Sequence, residues 1–196
     1  MLAPAALLTL GGCGSLIGPS GPPPQIYRLE PNLSPASGGT SVSWQLAVAR
    51  PNTTQTLDTE RIALTRGPVM DYYADAQWND NVPRLVQSLL VEAFEKSGRI
   101  AAVAPESEGL HADYLLVTEI RNFEARYAGA TGTPDVIVDI EAKLVDPRGK
   151  VIGSLDARQT APAGQNSIPA VVMAFDQAAA AAFAQIVTWT LQAPAP

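Results

Sequence analysis

A chain of 196 residues, 46% of them hydrophobic, is long enough for a real core and suggests one domain plus a tail rather than two domains. Its net charge of −6, without a run of five like charges, provides no cluster of Lys and Arg for phosphate binding, so no nucleic-acid partner is expected. One histidine and one cysteine exclude a multi-histidine metal centre and an internal disulfide.

The N-terminus reads as an export and anchoring signal. Met1 to Leu10 (MLAPAALLTL) is apolar, and the small residues Gly11-Gly12-Cys13-Gly14-Ser15 follow. Leu10-Gly11-Gly12-Cys13 resembles the bacterial lipobox, in which small residues admit an extended backbone to the signal peptidase. The cysteine thiol then takes diacylglycerol as a thioether. Residues 1–12 are therefore expected to be a lipoprotein signal peptide cut between Gly12 and Cys13, with covalent diacylglycerol and an N-acyl (palmitate-type) lipid on Cys13. An accidental or buried cysteine is the competing reading. No Lys or Arg precedes the apolar run, so a translation start upstream of Met1 would supply the missing basic region. Several acyl chains hold a protein stably on a bilayer where one is marginal. Residues 13–25, rich in Gly, Pro and Ser, read as a tether. Beyond the N-terminus no run of eighteen apolar residues occurs, so no membrane-spanning helix is expected in the mature protein.

The expected folded domain is 26–193. Gln25 to Glu30 reads as a short strand. Ser41 to Val48 alternates, with Val42, Trp44, Leu46 and Val48 inward, and ends at Pro51. Arg61 to Arg66 forms the next strand, with Ile62 and Leu64 buried, and Gly67-Pro68 turns the chain. Met70, Tyr72, Ala74, Ala76 and Trp78 then form the inner row of a strand. After Trp78 the period changes: Val82, Leu85, Val86, Leu89, Leu90, Ala93 and Phe94 make one stripe of a helix. Asn79, Asp80 or Asn81 caps its start, Pro83 suits its first turn, and Gly98 stops it.

Arg99 to Val103 reads as an edge strand and Glu106 to Ala112 as a polar loop holding His111. Asp113 to Tyr127 is a long strand whose apolar phase shifts between Ile120 and Phe123, the mark of a bulge. Val136, Val138, Ile140, Ala142 and Leu144 face inward on the next strand, opposite Ile137, Asp139, Glu141, Lys143 and Val145. Asp146-Pro147-Arg148-Gly149 turns the chain into its partner, Lys150 to Gln159. Ser167 is expected to cap a final helix from Ile168 to about Leu191, with Val172, Phe175, Ala179, Phe183, Ile186 and Trp189 or Thr190 along one face. The order is four strands, helix, four strands, helix. The expected class is α+β: a largely antiparallel sheet built from two ββ…α-type halves, with two main helices on one face.

Chemistry is sparse. His111 lies in a polar loop without a neighbouring cysteine and reads as solvent-exposed. No nucleophile-elbow turn, P-loop or dinucleotide-binding glycine pattern occurs. Glu60, Asp71, Asp75 and Asp80 could be imagined as carboxylate pairs, but they alternate outward or sit at a helix start, where a solvated face is the simpler reading. Tyr27, Trp44, Tyr72, Trp78 and Phe94 read as core rather than a ligand cage. No catalytic or metal-binding residues are assigned, and no enzyme is expected.

Assembled, these segments resemble the ABC-type transport auxiliary lipoprotein family, the PqiC-like proteins. The likeness is carried by Leu10-Gly11-Gly12-Cys13, Tyr27-Arg28-Leu29, Leu57-Asp58-Thr59-Glu60-Arg61-Ile62, Tyr72-Tyr73-Ala74-Asp75-Ala76-Gln77-Trp78, Pro83-Arg84-Leu85-Val86-Gln87 and Ser97-Gly98-Arg99-Ile100. It implies a non-catalytic, lipid-anchored protein on the periplasmic face of the outer membrane. There it would dock an MCE-domain periplasmic protein and its inner-membrane ABC transporter, which move phospholipid or other lipids. Gly14 after Cys13 carries no inner-membrane retention signal of the enterobacterial type. A homo-oligomeric ring is compatible with the resemblance. Two other classes compete: a lipoprotein activator of a cell-wall synthase, and a lipid-binding carrier. A tether of about a dozen residues reaches roughly 40 Å when fully extended, which is short for the first. The second needs an apolar cavity.

Overall fold

The computed structural model of the chain describes residues 23–33, 39, 41–129 and 131–195. The expected signal sequence, Gly12, Cys13 and most of the tether lie outside them. Among the described residues nine strands and two helices follow in order: β1 (Gln25–Tyr27), β2 (Val42–Val48), β3 (Asn52–Thr53), β4 (Arg61–Arg66), β5 (Val69–Trp78), α1 (Val82–Ser97), β6 (Ile100–Pro105), β7 (Tyr114–Tyr127), β8 (Asp135–Val145), β9 (Val151–Pro162) and α2 (Ile168–Thr190). The expected α+β order holds, with β3 as the addition: past Pro51 the chain stays extended long enough to pair Asn52 and Thr53 with Glu119 and Ile120.

All nine strands share one mixed sheet organised on β7. Along one side β7 meets β2, β3 and β4 in succession, each parallel to it. Along the other it pairs antiparallel with β8 from Leu115 to Arg126, and β8 continues antiparallel into β9. The longest ladders are therefore antiparallel, as expected from the hairpin turns. The parallel pairings are short and join strands distant in sequence, such as β2 with β6 across α1. β5 is antiparallel to β4, and β1 runs parallel to β5 on the outer edge.

The helix signals translate directly into packing. Asn81 Oδ1 accepts the Arg84 N–H at 3.3 Å at the start of α1, and Gly98 (φ 61°) ends it, donating its N–H to the Glu95 carbonyl. The predicted stripe Val82, Leu85, Val86, Leu89, Leu90 and Phe94 is buried. In α2 the buried face is wider than a single stripe. Val171, Ala174, Ala178 and Ala182 join Val172, Phe175, Ala179, Phe183 and Ile186, and the alanines let the helix lie close on β8 and β9. An eighteen-residue window of α2 has a mean hydropathy of 1.6, enough by length and composition to cross a membrane, a property that counting unbroken apolar runs passes over. In this fold that helix is core. Its expected cap needs correction: Ser167 has the extended backbone of a cap, but its side chain makes no capping bond.

Two strand readings also need correction. In β5 only Ala76 and Trp78 of the expected inner row are buried, while Met70 and Ala74 are exposed and Tyr72 is half-buried. The register explains it. Between the pairs Ala63–Tyr72 and Arg61–Gln77 the chain takes two steps along β4 and five along β5, so part of β5 leaves the ladder. In β8 the outward row is not wholly solvated, because Ile137 and Asp139 are each only 5% exposed.

Candidate functional site

The residues singled out from sequence disperse rather than converge. His111 is exposed in its loop, as expected. Glu60, Asp71 and Asp75 are exposed, and Asp80 stands before α1, where its carboxylate accepts the Asn81 N–H at 2.7 Å and pairs with Arg84. Trp44, Trp78 and Phe94 are core, not a cage. Trp78 packs edge-on to Phe175 at 5.1 Å and Trp44 edge-on to Tyr114 at 5.2 Å. Tyr72 is half-buried and carries the Arg61 guanidinium 3.6 Å from its ring centre. Among the described residues no three His, Cys, Asp or Glu side chains gather as metal ligands.

What the fold does assemble is a polar face on the side of β7, β8 and β9 away from the helices. Register sets its rows: Glu119, Glu141 and Asp156; then Asn122, Asp139 and Arg158; then Glu124, Ile137 and Thr160. The first row places like charges directly opposite one another, a destabilising arrangement. The bulge answers it. The register skips Arg121 between the pairs Ile120–Ile140 and Asn122–Asp139, and Arg121 reaches Glu141 at 2.8 Å and Asp156 at 3.6 Å. Lys143 adds a contact to Glu141 at 3.2 Å, and this amine, with Arg121, holds the Glu141 carboxyl below the usual range.

Two carboxylates on this face are buried. Glu124, 2% exposed, takes bonds from Thr65 at 3.2 Å and Arg126 at 2.8 Å. Asp139 takes one from Arg158 at 2.6 Å. Burial, and Asp156 beside it, push the Asp139 carboxyl above its ordinary value against the pull of that arginine. Sequence reading missed both, since outward phase in a strand reads as exposure. The signal available was the phase shift at Ile120–Phe123, which packs two successive side chains of β7 on one face. A second polar chain was also illegible: Tyr73 and Tyr127 share a hydroxyl bond at 2.9 Å, and Tyr127 donates to Asn166 at 2.8 Å, tying the β4–β5 hairpin to the loop before α2.

The hollows are shallow. One of about 480 Å³ opens beside Pro162, Ser167 and Met173, and one of about 110 Å³ lies between the helices at Ala93, Ala184 and Leu33. The interhelical hollow falls below the roughly 300–1,000 Å³ of small-molecule sites.

The chain combines a mixed sheet, two helices packed on it and a largely ion-paired polar face on the sheet's other side. Its sequence matches the family of ABC-type transport auxiliary lipoprotein components over residues 27–187, and the chain belongs to that family. It is 32% identical over 189 residues to the uncharacterized protein bll6063 of Bradyrhizobium diazoefficiens, a match covering 94% of this chain and 50% of the relative; the chain spans half that relative's length. Among solved structures it is similar to protein XCC0632 of Xanthomonas campestris, with a TM-score of 0.80, 31% identity and coverage of 85% of this chain and 94% of that one. A second, uncharacterized protein shares the fold at a TM-score of 0.68 and 17% identity, covering 86% and 99% of the two chains. The family is described as the lipoprotein component auxiliary to ABC-type transport.

Proposed function

We propose that this protein is a non-catalytic adaptor, lipid-anchored through Cys13 at the periplasmic face of the outer membrane, that docks the MCE-domain part of an ABC lipid transport system there. The observation that carries the reading is positional: the family match fills the folded domain from residue 27, and the lipobox-like Leu10-Gly11-Gly12-Cys13 stands just ahead of it. The polar face is compatible with docking, because Glu124, Asp139 and Glu141 are held in ion pairs with Arg126, Arg158, Arg121 and Lys143. Energy for transport would come from the ATPase of the partner transporter. Crosslinking in cells, followed by purification and mass spectrometry, is expected to recover an MCE-domain protein with its permease. Recovery of cell-wall synthases without any MCE protein would overturn the assignment. Cys13→Ser is expected to leave the domain folded and release it from membranes; a variant that still sediments fully with outer membranes would sink the anchor.

A further inference from the structure

One long edge of the sheet is open. Among the described strands β9 pairs with β8 alone, so the backbone groups along its other side have no ladder partner. The other outer strands are short or interrupted. β1 has three residues, β6 has six and ends at Pro105, and β5 leaves its ladder between Tyr72 and Gln77. β9 runs for twelve residues, its only proline is the last, and its one register shift, at Ile152, lies near its start.

That edge is complementary to itself. Facing residues of an antiparallel pair lie on the same face of the sheet. Two β9 strands paired about a two-fold axis at Ala157 set Asp156 against Arg158 twice and Ser154 against Thr160 twice, and overlap along nearly the whole strand. Centring the pair one residue earlier sets Asp156 against itself, and one residue later sets Arg158 against itself. Both side chains project from the polar face with at least half of each exposed. Within one chain Asp156 ends the acidic row Glu119, Glu141, Asp156 and shares Arg121 with Glu141 at the longer distance, 3.6 Å. A facing Arg158 brings a further cation to the end of that row.

The two ends of β9 also complement each other. Its start exposes Val151 and Ile152, and Ile152 lines a hollow with Trp189 on the helix side of the sheet. Its last residue, Pro162, borders the groove of about 480 Å³ that reaches the exposed Met173 of α2. Antiparallel pairing about Ala157 carries Ile152 of each copy to Pro162 of the other. We propose that β9 pairs edge to edge with β9 of a second copy of this chain, antiparallel about Ala157, with Ile152 of each seated in the Pro162–Met173 groove of its partner. Exposed apolar side chains taken singly are ordinary on surfaces. Here an open edge, a reciprocal ion pair and an apolar end with a groove to receive it all fit one register. The contact is isologous and closes at two copies, unlike the head-to-tail contacts of a ring. It depends on neither the lipid anchor nor the transport partner.

The test uses the full-length chain with Cys13→Ser, which removes its only native thiol. Ser154→Cys and Thr160→Cys are introduced together in one chain and singly in two others; both positions are exposed. Within one strand they stand about 20 Å apart, too far for a disulfide inside the chain. Mild oxidation is expected to give a covalent dimer of the double variant and to leave each single variant monomeric, because 154 faces 160 and not itself. Asp156→Lys reverses two ion pairs at once by symmetry and should weaken association by about tenfold, read by sedimentation. Glu95→Lys, the same charge change on an exposed position of α1, should leave it unmoved. Single variants that cross-link as well as the double overturn the register. Association that ignores both Asp156→Lys and Ile152→Ser, or a dimer without the 154–160 cross-link, assigns self-association to another surface and overturns the proposal. A chain that sediments only as a monomer overturns it outright.

Discussion

Asp139 shows how a single residue can be set against its own fold. It sits on a sheet face that faces no helix, yet its neighbours on β7 and β9 bury it, and its carboxyl is raised, by burial first and Asp156 second. The native state therefore holds that proton more tightly than the unfolded chain does. Its contribution to stability is fully present below the ordinary carboxyl value of 3.8 and is lost as pH rises through the raised value. Glu141 runs the other way: Lys143 and Arg121 lower its pKa, so its contribution is present near neutrality and lost on acidification. Asp139→Asn removes only the first dependence. Thermal unfolding from below the ordinary Asp value up to neutrality should show the variant's Tm, relative to wild type, climbing with pH. Two parallel curves would refute the account. The slope is the readout, because Asn keeps an acceptor oxygen for Arg158 and any pH-independent cost of the substitution moves the whole curve together.

At the scale of elements, the two helix starts look alike in sequence and differ in structure. Asn81 closes a bond to the Arg84 N–H, whereas Ser167 makes none. Asn81→Ala should cost about 0.5–2 kcal/mol in urea unfolding, typically near 1, and Ser167→Ala clearly less. Equal costs would mean that backbone geometry alone does the capping. The same contrast marks what was legible. α1 could be read from its stripe, Pro83 and Gly98 because every one of those signals is local. The bulge in β7 was equally readable, since a phase shift is written in consecutive residues. β3, the exposed outer half of β5 and the burial of Asp139 depend on partners 3 to 67 positions away, and a strand's period says nothing about which neighbour covers it. The candidate site fared likewise: Arg121 lies in the phase shift that consecutive residues reveal, while Tyr73, Tyr127 and Asn166 meet only through the fold.

At the scale of the whole molecule, the two ββ…α halves share one core and should unfold as one. Trp78 from β5, Phe123 from β7 and Phe175 from α2 form a closed aromatic set, with centroid separations of 5.1, 6.1 and 4.9 Å and all three side chains at most 1% exposed. β7 belongs to the second half by sequence, yet it pairs with β2, β3 and β4 of the first. Neither half could bury its face alone, so an intermediate with only one half folded would expose this cluster to water. Phe175→Ala opens the cluster from the α2 side and is expected to cost about 3–5 kcal/mol, a Tm loss on the order of 10 °C for a domain of this size. The informative part is where the loss is seen. With Trp44 and Trp189 replaced by Phe, emission from Trp78 reports on the first half, and far-UV circular dichroism reports on both helices. In the variant the two transitions should fall together and by the same amount. If α2 signals melted first while Trp78 stayed buried, the halves would be separable units, and the shared core would be a contact rather than the basis of the fold.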